Sequence, residues 1–330
     1  MNIHPKNWLG LDISAASFDG STAEEGAAPD LHRPVHAFPR TPEGIRACLA
    51  RVGEVVGVAL ESTGIYSQEA AAWLREARPG LRVCVVNPMQ VKAYGKSLAV
   101  RNKNDAVDAR VIALFAASHR PKASWVPEPE RMRLRDLLKE RAAIVQMLSN
   151  ERKRAFSEAS GLLGEVRADL RSALQTGLKR LEAGIWEVVN AYPSLATDVK
   201  RLMTIPGVAL IVSTTVLALL GDLRRFHRGR ELAAYAGLSP SQRSSGTSVH
   251  GRTRMCKLGN RKVRHVIYLA AMTAIRYPGP LKEAYEAMVV RGKNRKAALG
   301  AVMRRLLLLM RALLVSESEH CVGGKPRSAA

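Results

Sequence analysis

Short apolar runs, each bounded by polar residues, dominate the first third of the chain. Trp8–Ile13, Val55–Leu60 and Leu81–Val86 have the length and continuous apolar character of buried β-strands. Ser67–Ala77 and Asn104–Ser118 have the spacing of apolar residues that is typical of helices. A strand–helix–strand succession predicts parallel strands joined by a crossover helix. We therefore expect an α/β domain at the amino-terminal end.

The pattern changes to a long helical periodicity from about Glu130 to Val189. Apolar residues recur there at spacings of three and four, with Arg, Lys and Glu between them. This pattern predicts two long helices with a break near Gly161 or Gly164. They could form a coiled-coil hairpin or belong to an ordinary helical bundle, and the periodicity alone does not decide between the two.

The last third reads as mostly helical. An apolar helix is expected to open at Ile205-Pro206-Gly207-Val208 and to end at Leu220, followed by a short helix at Leu232–Ala236. A polar loop is expected over Ser239–Gly251, and helices over Arg261–Ile275 and Lys296–Val315.

These segments predict a chain of three parts and a tail. Residues 1–127 form the α/β domain, residues 128–191 the long helical or coiled-coil segment, and residues 192–315 a mostly α carboxy-terminal domain. Residues 316–330 are expected to be a disordered tail.

Net charge gives the first indication of function. The chain has 51 Lys and Arg against 29 Asp and Glu, a formal net charge of +22. The excess is concentrated between Pro240 and Ala312, where the only acids are Glu283 and Glu286. A basic surface of this kind suits a polyanion, because each phosphate contact releases counterions. Nucleic acid is the expected partner.

Other compositional features exclude several classes of protein. The four cysteines are far apart in sequence, without the C-x-x-C spacing of a zinc site or a disulfide framework. The apolar runs are too short to span a bilayer, and the first residues lack the apolar core of a signal peptide. We expect a cytoplasmic protein without membrane contact.

Four acidic residues fall where an α/β sheet places its sites. Asp12 lies in the first strand, Glu61 directly follows the second, and Asp105 and Asp108 lie three apart on one helical face. Each acid alone is more typical of a strand end or a helix amino terminus. Together they favour a Mg²⁺ site, because converging carboxylates repel one another unless a hard cation is bound between them.

Serines in the expected polar loop are candidate nucleophiles. A serine flanked by glycine and arginines can attack a phosphodiester, with the arginines stabilising charge on the phosphoryl oxygens. Turn formation or a phosphate contact by the hydroxyl explains such serines equally well, and more often. The basic residues expected to contact nucleic acid are Arg243, Arg252, Arg254, Lys257, Arg261, Lys262, Arg264, Lys293, Arg295 and Lys296.

Ordered motifs along nearly the whole chain resemble the IS110 family of insertion-sequence transposases. One group resembles the family's RuvC-like domain: Asp12-Ile13-Ser14, Glu61-Ser62-Thr63-Gly64-Ile65-Tyr66, Asn87-Pro88, Lys103-Asn104-Asp105 and Asp108-Ala109-Arg110. A second group resembles its carboxy-terminal transposase domain: Ile205-Pro206-Gly207-Val208, Gly221-Asp222, Leu232–Leu238, Ser245-Gly246, Gly251-Arg252 and Gly259-Asn260-Arg261.

The resemblance implies a RuvC-like, ribonuclease-H-type fold with a catalytic, Mg²⁺-binding D-E-D-D site at Asp12, Glu61, Asp105 and Asp108. It also implies a serine that forms a covalent phosphoserine link to DNA. The family's Ser-Gly motif falls on Ser245, with Ser244 and Ser248 nearby as alternatives. A bridge-type noncoding RNA would pair with donor and target DNA. The subunits would form dimers of dimers, with each active site composed from two subunits.

Other functions remain open on the residues alone. A RuvC-like nuclease would hydrolyse junctions or RNA–DNA hybrids with its carboxylates and use the serine loop only structurally. A non-catalytic nucleic-acid binder would need neither the carboxylates nor the serine. A sugar-kinase or actin-like ATPase is disfavoured, because no Gly-rich phosphate loop follows Asp12.

Overall fold

The computed structural model describes residues 6–62, 64–99, 105–124, 128–154, 161–245, 249–256 and 258–317 of the 330-residue chain. For residues 65, 105, 106, 242–245 and 249–254 it describes the backbone only. The chain divides into two compact units, Met1–Val126 and Pro127–Ala330. No helix within the described ranges has both the length and the apolar character that crossing a membrane requires.

A five-stranded mixed sheet forms the centre of the first unit. Its order is β3-β2-β1-β4-β5; β1, β2 and β3 are antiparallel neighbours, and β4 and β5 continue the sheet parallel to β1. This arrangement is the ribonuclease-H-type topology and confirms the expected RuvC-like fold. The strands are β1 (Asn7–Ile13), β2 (Ser17–Glu24), β3 (Val35–Pro39), β4 (Gly57–Glu61) and β5 (Val83–Val86).

Helices cover both faces of this sheet because the central strands are apolar on both sides. Leu9, Leu11 and Ile13 of β1 pack on one face with the first two helices, while Trp8 and Ala59 lie on the opposite face with the third and fourth. The helices are α1 (Pro42–Val52), α2 (Ile65–Ala77), α3 (Pro88–Ser97) and α4 (Asp105–His119).

Helix α4 lies directly on β1 at Gly10. A Cβ atom at that position would fall 2.6 Å from the carbonyl oxygen of Ala109 and closer still to the amide nitrogen of Ala113. Both are backbone atoms, so neither can rotate away. Glycine is therefore the residue that permits this approach of helix to strand.

The direction of α4 is opposite to that of β1. Directly after α4, Arg120 forms an ion pair with Glu25 at 3.2 Å, and the amide of Glu25 donates to the carbonyl of Lys6, just before β1. The carboxy-terminal end of α4 thus lies beside the beginning of β1. Its amino-terminal end, with Asp105 and Asp108, must lie toward the end of β1.

The second unit is largely helical, as expected, and it has one main hydrophobic core. Leu134, Ile185 and Val188 from the two long helices are buried in the same core as the helices that follow. Residues 128–191 and 192–315 therefore share their packing. The helices are α5 (Pro129–Arg154), α6 (Leu162–Ala191), α7 (Pro193–Met203), α8 (Leu210–Leu220), α9 (Gly229–Tyr235), α10 (Arg261–Ala274), α11 (Pro280–Val290) and α12 (Arg295–Val315).

Helices α5 and α6 form an antiparallel hairpin. Gly177 packs opposite Ile144, and Arg141 forms an ion pair with Glu182 at 2.8 Å. Helix α6 begins directly after Gly161, which has a positive φ of 65° and thus gives the predicted break a structural reason.

The segment expected to be a polar loop is a β-hairpin. Strands β6 (Pro240–Ser245) and β7 (Val249–Met255) pair antiparallel, and the amide of Cys256 donates to the carbonyl of Ser239 at the base. Polar residues satisfy their backbone groups here by cross-strand pairing, which side-chain composition does not reveal. The hairpin tip, residues 246–248, lies outside the described residues, as does the expected disorder over residues 318–330.

We expect Gly10→Ala to lower the free energy of unfolding by about 1–3 kcal/mol or more, because the added methyl group would force α4 away from β1. Urea unfolding measures this loss. Gly20→Ala on β2 is the matched control, since its Cβ would meet only side-chain atoms of Leu11, Cys48 and Leu9 at 3.3–3.6 Å. Equal stability of the two variants would show that α4 does not require the glycine.

Candidate functional site

Strands β1 and β4 bring two of the predicted acids to the same edge of the sheet. The register pairs Leu11 with Leu60, so the next residues, Asp12 and Glu61, lie beside one another at the carboxy-terminal ends of parallel strands. Both follow by two positions a residue that faces α4, Gly10 and Ala59 respectively. The side chains of Asp12 and Glu61 are partly buried.

Helix α4 brings the other two acids to this edge. Asp108 precedes Ala109, which contacts the backbone of β1, and its side chain is partly buried. Asp105 is the first residue of α4 and lies one turn before Ala109 on the same helical face. We call Asp12, Glu61, Asp105 and Asp108 the carboxylate edge.

The donor chemistry of the carboxylate edge suits Mg²⁺, which prefers oxygen ligands. Among the described side chains, no group of three or more His, Cys, Asp or Glu is arranged to hold a metal ion. The side chain of Asp105 lies outside this description. Assembly of all four acids around a metal ion therefore stays a prediction.

Arg40, which no pattern in the sequence singles out, connects the turn after Asp12 to helix α2, which begins shortly after Glu61. Its Nε donates to the carbonyl oxygen of Ala15 at 2.7 Å, and its Nη1 donates to Oε2 of Glu69 on α2 at 2.5 Å. Its guanidinium carbon lies 4.5 Å from the centre of the Tyr66 ring. The Arg40 side chain is only 15% exposed. This arginine fixes the β1–β2 turn to the start of α2.

Ser245 ends β6, where its Cα pairs with that of Val249, and Ser244 pairs in the same way with His250. The side chains of both serines lie outside the described ones. Ser245 and Ser244 are therefore placed at the end of a hairpin strand and not in an irregular loop. Ser248, the third candidate, lies outside the described residues.

The base of this hairpin is fixed by close backbone packing. A Cβ on Gly259 would fall 2.5 Å from the amide nitrogen of Gly237 and from the carbonyl oxygen of Tyr235, at the end of α9. Asn260 then caps α10 by accepting from the amides of Lys262 and Val263 at 2.9 and 3.2 Å. Gly259 and Asn260 thus hold the start of α10 close to the end of α9.

Several of the predicted nucleic-acid contacts lie at the first turns of two helices. Arg261 and Lys262 are exposed at the start of α10, and Arg295 and Lys296 at the start of α12. Neither first turn contains an acid. Cations are disfavoured at this end of a helix, where the dipole is positive. An anionic partner would relieve the repulsion.

Arg264 belongs to the same cluster on α10. Its Nη1 donates to the carbonyl of Ala236 at 3.4 Å. Burial lowers the pKa of its guanidinium, and repulsion from Arg261 lowers the pKa further. Lys293 is exposed before α12. Lys257 and the side chains of Arg243, Arg252 and Arg254 lie outside the described residues.

Family comparisons cover both units. A family described as Transposase IS116/IS110/IS902 matches residues 199–286. A second transposase family, of D-E-D-D type and named for IS110, matches residues 9–157 and so includes all four acids of the carboxylate edge.

Individual relatives match between part and almost all of this chain. The pilin gene-inverting protein of Moraxella bovis is 30% identical over 318 residues, which cover 94% of this chain and 96% of the relative. The transposase for insertion sequence element IS1111A of Coxiella burnetii is 30% identical and covers 60% and 61% of the two chains. RuvC of Thermus thermophilus is 18% identical, with a TM-score of 0.27 over 36% of this chain and 99% of that structure.

A RuvC-like sheet with matches to both transposase domains defines a DNA transposase, an enzyme that rearranges DNA. The chain belongs to the IS110 family, whose members include transposases and whose relatives include DNA-inverting proteins. D-E-D-D domains of this kind use divalent metal ions.

We expect Arg40→Ala to lower DNA strand-transfer activity by about tenfold or more, because the turn after Asp12 would lose its tie to α2. Arg40→Lys keeps the positive charge, but an ammonium group lacks the planar set of donors that reaches Ala15 and Glu69 together, so this variant should retain only part of the activity. Strand transfer should be measured over a Mg²⁺ titration, with Arg46→Ala on exposed α1 as the control. Activity of Arg40→Ala equal to wild type at every Mg²⁺ concentration would contradict the role.

Proposed function

We propose that this transposase cuts and rejoins DNA through a phosphoserine intermediate on Ser245, with assistance from the carboxylate edge. The observation that carries the proposal is the arrangement of β1, β4 and α4: Asp12 and Glu61 directly follow a paired position of parallel strands, and α4 begins toward the same edge of the sheet. The match of a D-E-D-D transposase family to the same residues supports it.

The chemistry is two successive transesterifications. The Oγ atom of Ser245 attacks a DNA phosphorus, the bond from phosphorus to the DNA oxygen breaks, and the serine proton leaves to a base while the freed oxygen gains a proton. A DNA hydroxyl then attacks the phosphoserine and regenerates the serine. Each step exchanges one phosphate ester for another, so no external energy source is required.

The carboxylate edge would hold Mg²⁺ through the oxygens of its four acids. When bound, the metal ion would supply neutralisation of the negative charge that develops during phosphoryl transfer. Asp12 and Glu61 are partly buried at the ends of neighbouring strands, and Arg40 holds the turn after Asp12 to α2.

The sequence choice would come from a bridge-type noncoding RNA that pairs with donor and target DNA. The basic residues then need only contact sugar–phosphate backbones, as in other RNA-guided systems. Arg261, Lys262, Arg295 and Lys296 are exposed at helix starts, and few acids lie near them in the sequence; both facts support contacts to a polyanion. A DNA substrate of this kind would place the enzyme at the nucleoid.

Homo-oligomerisation is supported by an apolar stripe at the start of α6. Leu163, Val166 and Leu170 lie at helical spacings of three and four and are 55%, 54% and 45% exposed. A stripe of this kind on a long helix suits knobs-into-holes packing with a second copy. We propose that dimers form through it and that two dimers assemble on DNA.

We expect Ser245→Ala to abolish a covalent protein–DNA adduct that wild type forms with Mg²⁺, its element-derived RNA and labelled junction DNA. Denaturing electrophoresis detects the adduct, and mass spectrometry locates it. Ser244→Ala, the neighbouring control, should keep the adduct, and Asp12→Asn should lose it. Free cleaved DNA without any adduct, unchanged in Ser245→Ala, would instead establish a hydrolytic nuclease with a structural serine hairpin.

The double variant Val166→Glu, Leu170→Glu should be monomeric, near 36.0 kDa, under conditions in which wild type is a dimer or larger. The reason is that paired stripes would bring buried like charges together. Light scattering after size exclusion gives the mass. Val290→Glu on α11, where the valine is 86% exposed, is the control and should leave the mass unchanged. A monomeric wild type would contradict the proposal that the chain dimerises through this stripe.

A further inference from the structure

Helix α10 has an outward face without any acidic residue. Arg261, Lys262 and His265 fall on one side of the helix, and Arg276 lies in the turn that follows its end; all four are exposed. The opposite side, which includes Val263, Ile267, Ala270 and Ala271, is buried in the core of the second unit. The exposed face thus runs over the full length of the helix, about 20 Å at 1.5 Å per residue.

Two large side chains, one aromatic and one aliphatic, lie on this face between the cations at the start of α10 and Arg276 after its end. Tyr268 is 42% exposed and Leu269 is 48% exposed, both near the middle of the helix. Neither is needed for the core, which the opposite side of α10 already fills. A site that only contacted phosphates would not require an exposed ring at its centre.

We propose that this face of α10 binds an unpaired segment of nucleic acid. The cations would contact the phosphates of the bound strand, and one base would stack on Tyr268. In a duplex both faces of a base are covered by its neighbours, so an exposed ring is useful only where bases are unstacked. Alternating cations and aromatic rings are the usual means of binding single strands.

The position of α10 connects this face to the serine hairpin. The helix begins five residues after β7 and is capped by Asn260, whose neighbour Gly259 is packed against the end of α9. A strand lying along α10 would therefore lead toward the base of the hairpin that carries Ser245. The inference rests on the proposed function, since strand exchange separates paired strands and makes such segments available.

The test is fluorescence anisotropy of the full chain with labelled 20-nucleotide single-stranded DNA, RNA of the same sequence, and the matching DNA duplex. A chelator removes Mg²⁺, so binding is measured without adduct formation. Tyr268→Ala should weaken single-strand binding by about tenfold or more, and Tyr268→Phe should bind within about twofold of wild type. Comparison of the DNA and RNA arms shows which strand is preferred.

The affinity for duplex DNA should change by less than about twofold in Tyr268→Ala, whereas Arg276→Ala should lower the affinity for all three ligands. Tyr192→Ala, at a tyrosine that is 40% exposed before α7, is the matched control and should bind like wild type. Crosslinking of wild type to a bromouracil-containing single strand should label Tyr268 or a neighbour on α10. Unchanged single-strand affinity in Tyr268→Ala, or an equal loss for duplex, would overturn the proposal.

The two proposals fail separately. Loss of the Ser245 adduct hypothesis would leave the chelator-treated binding measurements unaffected. Conversely, a Tyr268→Ala protein that binds single strands normally would leave the adduct on Ser245 in place while removing α10 as the surface that guides the strand.

Discussion

The missing side chain of Gly10 is the constraint on which the amino-terminal site depends. Because the backbone of α4 contacts the backbone of β1 there, the distance between helix and strand and the rotation of α4 about its axis are both fixed. Ala109 and Ala113 set that rotation, and Asp105 and Asp108 follow from it on the same helical face. A larger residue at the strand centre would move the helical acids relative to Asp12 and Glu61 without touching any acid.

In the second unit, arginine side chains that donate to carbonyls at helix carboxy termini hold the helices against one another. Arg131 and Arg135 of α5 donate to the carbonyls of Leu217 and Ala218 at the end of α8, at 2.8 and 2.7 Å. Arg224 forms a two-bond pair with Asp198 and also donates to Leu314 at the end of α12. These bonds satisfy carbonyls that a helix end leaves open and bind the long helices to the core.

The elements that the sequence predicted are those with strong apolar patterning. Strands β1, β4 and β5 and helices α4, α5, α6, α10 and α12 are found close to the expected bounds, because burial on one or both faces determines their composition. Strand β2 was not predicted, since Ser17-Phe18-Asp19-Gly20-Ser21 reads as a turn and only pairing on both sides makes it a strand. The β6–β7 hairpin was missed for the same reason.

The candidate site shows the same division. Asp12 and Glu61 could be identified because they lie in or directly after an apolar run, where a charge is unusual. Asp105 and Asp108 could be identified because they lie three apart on one helical face. Arg40 could not, because its role depends on Ala15, Tyr66 and Glu69, which come together only in three dimensions. The basic residues of α10 could be recognised in the sequence. The exposure of Tyr268 could not, because it depends on which side of the helix packs against the core.

The cations at the beginnings of α10 and α12 carry a consequence for the thermodynamics of the enzyme. In the free protein these helices tolerate an electrostatic conflict that a neutral or acidic first turn would avoid. A bound polyanion removes the conflict, so folding and nucleic-acid binding are linked equilibria. The free energy of unfolding is therefore larger for the nucleic-acid complex than for the free protein, and binding of the substrate stabilises the fold.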